Sequence, residues 1–82
     1  MEETRIAILA IVVEDTDSVA VMNEVLHEYG KYIIGRMGIP YQKRKISLIS
    51  VAMDAPNEII SALCGKLGNI HGLTVKAAYS KL

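Results

Sequence analysis

A permanently charged guanidinium set between glycines, in the run Gly35-Arg36-Met37-Gly38, is the feature of this 82-residue chain best suited to hold an anion. Its planar fork presents donors that match a carboxylate or phosphate edge two at a time. The run lies within YIIGRMGIPYQKRK, residues 32–45. There Gly35 leaves a gap where a ligand or a second backbone can approach, Gly38 and Pro40 fix a turn, and Tyr41 offers a stacking surface. Gly35, Arg36, Gly38 and Tyr41 are therefore candidate residues for binding a small anionic effector. Two plainer readings stay open. Arg36 pairs with a carboxylate such as Glu14 or Asp15 in a subunit contact, or the basic run QKRK is a solvated hairpin whose charges protect a sheet edge.

Other side chains with chemical potential are few and scattered. His27 and Glu28, in HEYG, match the first half of the helical zinc motif H-E-x-x-H, but position 31 is Lys and the second ligand is missing. On a helical wheel His27 lies away from Met22, Leu26 and Tyr29, which makes it a solvated histidine. His71, in NIHG, reads as a surface or turn residue, and Cys64 as a small hydrophobe on a helix flank. A four-ligand metal site would need several subunits or carboxylates, so no metal and no cofactor is expected. No serine is accompanied by a His and Asp arrangement, so no catalysis is expected either. GRMG and GKLG pair glycines, yet neither follows a strand and opens a helix as a phosphate loop must.

Composition sets the frame for these residues. One domain, residues 1–82, accounts for the length, near the lower end of what buries a self-sufficient core. Hydrophobic residues make up 51% of the chain without any Phe or Trp, and that excess has to be buried somewhere. Nine basic and nine acidic residues cancel, which removes the whole-molecule field that draws proteins to nucleic acid or anionic membranes. A single cysteine excludes an internal disulfide framework and fits a reducing cytoplasm. The acidic start MEETR lacks the basic opening of a signal peptide, and the apolar run after it is too short to span a membrane. A cytoplasmic protein is expected.

Apolar periodicity supplies the elements. IAILAIVV, residues 6–13, is apolar at every position and reads as a strand covered on both faces. Asp15, Thr16 and Asp17 follow as candidate caps for a helix in which Val19, Met22, Val25, Leu26 and Tyr29 recur at helical spacing. Gly30 sits where a left-handed stop is expected. A second strand is predicted over 32–36, broken by Gly38 and Pro40, and a third over 46–53. Pro56 suits the start of a second helix with Ile59, Ile60, Leu63 and Leu67 on one face, ended by Gly68. A fourth strand covers 74–79. Shifting the chain by about 38 residues brings Ile11 onto Ile49, Val13 onto Val51 and Gly30 onto Gly68, a weak repeat consistent with two βαβ units. The order βαββαβ predicts an α+β, ferredoxin-like sandwich: a four-stranded antiparallel sheet with two helices on one face.

Such a sheet leaves its other face bare, and here that face cannot be polar. Both alternating sets of the first strand are apolar, Ile6, Ile8, Ala10 and Val12 as well as Ala7, Leu9, Ile11 and Val13. The expectation is a homo-oligomer, dimer or tetramer, packed through the sheet. Leu9 and Ile11 are taken as positions that would meet a second subunit.

The segments VVED, HEYGKYIIGRMGIPY, DAP and ALCGKLGNIHGLTVKAAYSK resemble the family of small iron-only hydrogenase system regulators, across nearly the whole chain. GRMGIPY and SALxGKLGxIxGxxVK carry the specificity. That family is similar to ACT-type ligand-binding domains and to the C-terminal domain of the nickel-responsive repressor, which share βαββαβ topology and assemble through their sheets. The resemblance implies an ACT-like regulatory or ligand-sensing module without catalysis. It also places an effector near the first strand-to-helix loop, at Glu14, Asp15 and Thr16, so that Asp15 and Thr16 join the candidate binding residues. The nickel repressor's H-x-H pair has no counterpart in YIIGR, and with the first core strand starting near residue 5, autonomous DNA binding of that repressor's type is not expected. The alternative implied is a small metal- or cofactor-handling accessory protein for hydrogenase assembly, with His27, His71 and Cys64 as ligands across subunits.

Overall fold

In the computed structural model, which describes residues 3–81, the first apolar run forms the strand β1 (Arg5–Val13). The acidic start MEETR falls partly outside the described residues. A 3-10 turn (Thr16–Ser18) leads into α1 (Val19–Glu28), and a second 3-10 turn (Gly30–Tyr32) leads into β2 (Ile33–Tyr41). Then come β3 (Ile46–Ala55), α2 (Asn57–Gly68) and β4 (Leu73–Tyr79). The strands lie in the order β2-β3-β1-β4 and every neighbouring pair is antiparallel. This is the expected βαββαβ sandwich.

Register decides which apolar set of β1 meets the helices. Ala7, Leu9, Ile11 and Val13 are buried, together with Ile49, Val51 and Met53 of β3, against Met22 and Leu26 of α1 and Ile60, Leu63 and Leu67 of α2. Each fully buried side chain of this size contributes about 1.5–3 kcal/mol, so this layer carries the fold. Leu9 and Ile11 thus belong to the core, and the set that faces away from the helices is Ile6, Ile8, Ala10 and Val12. Alternation alone could not distinguish the two, because both sets are apolar.

The caps partly follow the sequence. Asp15 accepts a hydrogen bond from the Asp17 N–H at 3.0 Å and so caps the first 3-10 turn. Pro56 stands immediately before α2. Neither Gly30 nor Gly68 is left-handed; α1 instead tightens into 3-10 geometry, with the Tyr29 N–H donating to the Leu26 carbonyl and the Tyr32 N–H to the Tyr29 carbonyl. The positive glycine φ, +80°, belongs to Gly72.

The largest departure from expectation concerns β2. It runs unbroken through Gly38 and Pro40, and the turn falls later, where the Arg44 N–H donates to the Tyr41 carbonyl. Proline is tolerated because β2 is an edge strand. A bulge between Ile33 and Gly35 then shifts the alternation.

Candidate functional site

Two surfaces converge on β2. The first is the open face of the sheet, where cross-strand register gathers Ile6 and Ile8 of β1, Met37, Ile39 and Tyr41 of β2, and Leu48 of β3. All six stay exposed, from 42% at Ile6 to 64% at Met37. A monomeric protein seldom leaves so many large apolar side chains side by side in water. Shallow clefts indent this face, one along Ala10, Val12, Met37, Ile39 and Leu48, another along Ile8, Gly35, Met37 and Ala52. Gly35 faces this side opposite Ala52, and a Cβ added there would meet nothing within 4 Å, because the face is open.

The second surface lies on the helix side. Because Ile34 is taken up in the bulge, Arg36 stands opposite Val51 and shares the helix side with Ile33, rather than with Ile34 as simple alternation suggests. Its Nη2 donates to Asn23 Oδ1 of α1 at 3.1 Å. Asn23, Leu26, His27, Gly30, Ile33 and Arg36 line a cleft of 280 Å³ between α1 and β2. No carboxylate among the described residues forms an ion pair with Arg36. Gly38 also faces the helix side, where a Cβ would touch Ile49 at an ordinary 3.7 Å.

The expected site residues therefore fall into three places. Arg36 and Gly38 lie on the helix side, Gly35 and Tyr41 on the open face, and Asp15 and Thr16 in the loop after β1. That loop is tied to the turn before β4. The Glu14 N–H donates to the Gly72 carbonyl at 2.7 Å, the Ser18 hydroxyl donates to the His71 carbonyl at 2.6 Å, and His71 Nε2 lies 3.8 Å from Asp15 Oδ2. Asp15 thus has structural partners within its own chain. Asn23 was not legible as a site residue, since its link to Arg36 joins a helix and a strand whose packing no local pattern specifies.

Among the described residues no three His, Cys, Asp or Glu side chains gather around one point. Burial pushes the Cys64 thiol above its ordinary pKa, which disfavours the thiolate that metal binding or nucleophilic attack requires. Among the described residues no helix is long and apolar enough to cross a membrane.

Comparison with known proteins adds a family. The family model "TM1266-like: Iron-only hydrogenase system regulator, putative" matches residues 5–77. Among solved structures, the uncharacterized protein TM1266 from Thermotoga maritima is similar at 36% identity and a TM-score of 0.92, over 96% of this chain and 100% of that one. A formyltetrahydrofolate deformylase from Pseudomonas putida KT2440 is similar at 13% identity and a TM-score of 0.64, over 89% of this chain and 28% of that one, which is a likeness of fold alone. No curated protein matches the chain.

Proposed function

The chain belongs to the TM1266-like, iron-only hydrogenase system regulator family, and from that premise we propose that it is a non-catalytic regulatory module which self-associates through its open sheet face and senses a small-molecule effector held beside Arg36. The observation that carries this reading is the cluster of six exposed apolar side chains on that face. A strand of nine residues rises about 30 Å and four strands span about 19 Å, a flat footprint of roughly 550 Å² before side-chain relief. That is the order of the ~800 Å² that each partner contributes to a stable complex. A second copy is the occupant proposed: a formal net charge of zero imposes no repulsion between identical subunits, and the two charged side chains that the register puts on this face, Asp54 and Lys76, are of opposite sign.

Regulation by such a module requires an effector that changes either the assembly or what the assembly contacts. Arg36 supports the effector half of the reading, since its fork is braced by Asn23 yet meets no carboxylate among the described residues. Native mass spectrometry of protein from its own host tests both halves together. The expected spectrum shows a multiple of the 9.0 kDa subunit carrying a retained small molecule, which Arg36→Met releases while the assembly persists. A bare single subunit would refute the proposal.

A further inference from the structure

We infer that the cleft between the C-terminal half of α1 and β2 binds the carboxylate of a small organic acid carrying a short apolar stem, with Arg36 as the anion fork. This deepens the effector reading above and rests on it. Arg36 supplies the charge, and Asn23 Oδ1, accepting from Nη2 at 3.1 Å, holds the guanidinium plane in place while other N–H groups of the fork stay available. His27 follows Asn23 by four residues, on the same side of α1, and its imidazole lines the same cleft. Leu26 and Ile33 form an apolar wall beside these polar groups. Gly30 also lines the cleft, and a Cβ there would meet nothing within 4 Å.

The position on the helix selects the charge of the ligand. α1 ends at Glu28, so the cleft borders the end of a helix whose dipole is negative, with Glu28 itself in the last turn. That negative end opposes any anion, a phosphate dianion about twice as strongly as a carboxylate monoanion, so the repulsion that Arg36 has to outweigh is smaller for a carboxylate, and the cleft offers one permanent cation rather than the several that usually hold phosphate. A carboxylate carries a single charge and matches the planar fork edge to edge. The apolar wall then accommodates an aliphatic stem within 280 Å³. Lying on the helix side, the cleft stays open when the opposite sheet face is covered by a second copy.

The test is a titration of the assembled full chain, followed by ¹⁵N–¹H spectra that include the Arg36 side-chain Nε–H. The probes are isovalerate, its neutral isostere isovaleramide, and inorganic phosphate, at constant pH and ionic strength. Isovalerate should give saturable shifts at Arg36, Asn23 and Ile33 with a Kd in the range of about 1–10 mM, as expected for a ligand of about seven heavy atoms. Isovaleramide and phosphate should bind at least tenfold more weakly. Arg36→Met should abolish the isovalerate response and Asn23→Ala should weaken it severalfold, both with unchanged subunit number. Equal responses to isovalerate and phosphate would mean adventitious pairing with an exposed arginine and overturn the inference. So would a response to isovaleramide equal to that of the acid, or one that survives Arg36→Met. An assembled protein that retains a molecule insensitive to Arg36→Met would sink this cleft assignment alone, whereas a lone subunit without ligand would sink the regulatory reading itself.

Discussion

Aspartate placed at Ile8 and at Leu9, neighbours on one strand, should produce opposite kinds of damage. Leu9 is 0% exposed and faces the helices, whereas Ile8 is 49% exposed and lies on the open face. Leu9→Asp forfeits about 2–3 kcal/mol of burial and leaves a carboxylate unpaired in the core at a further cost of several kcal/mol. A chain of this length has roughly 4–12 kcal/mol of stability in total, so that variant should not fold. Ile8→Asp forfeits only about 1 kcal/mol within the protomer, because half of the side chain is already in water. In a two-fold assembly, however, it buries one carboxylate per subunit. At a penalty of about 2 kcal/mol each or more, association weakens by roughly a thousandfold or more. Circular dichroism with urea titration reads the fold, and sedimentation velocity reads the assembly. Ile8→Asp should be a folded monomer, and Leu9→Asp should lose its native spectrum. An Ile8→Asp protein assembled like the parent would refute the reasoning from the open face, and a stably folded Leu9→Asp protein would refute the assignment of faces.

Further expectations concern the contact between the loop after β1 and the turn before β4, and the single thiol. Gly72→Ala forces a left-handed residue at φ +80° and brings a Cβ to 2.5 Å from Asp15 Cβ; the conformation alone costs about 1–2 kcal/mol, so a urea midpoint unchanged from the parent would contradict the close approach. Ser18→Ala removes the hydrogen bond to the His71 carbonyl and should cost about 1 kcal/mol in the same titration, with no effect as the contrary result. Cys64, whose pKa is raised by burial, should be alkylated by iodoacetamide more slowly than a free thiol at the same pH. The native state then binds more protons than the unfolded chain as the thiol begins to titrate, so this group's contribution is intact below the unfolded pKa and lost as pH rises through the folded one. Cys64→Ala should flatten that alkaline decline, and an unchanged slope would argue against it.

The architecture was legible because the helix faces and the apolar strands repeat at their own periods. Met22 and Leu26, and likewise Ile60, Leu63 and Leu67, were assignable to the core from spacing alone. The path of β2 was not. Gly38 and Pro40 carry the chemistry of a turn, and only the edge position of the strand makes them acceptable within it. The bulge at Ile34 is equally silent in sequence, yet it decides that Arg36 points toward α1. Arg36 itself stood out by residue type and spacing. Its brace Asn23 and its neighbour His27 come from another element, and only tertiary packing brings them to the same cleft.

Sedimentation equilibrium of the unmodified protein across micromolar concentrations tests the central claim most directly. Association through the open face predicts a mass above 9.0 kDa, either constant at a multiple of it or rising with concentration toward one. A single 9.0 kDa species throughout the range would contradict it.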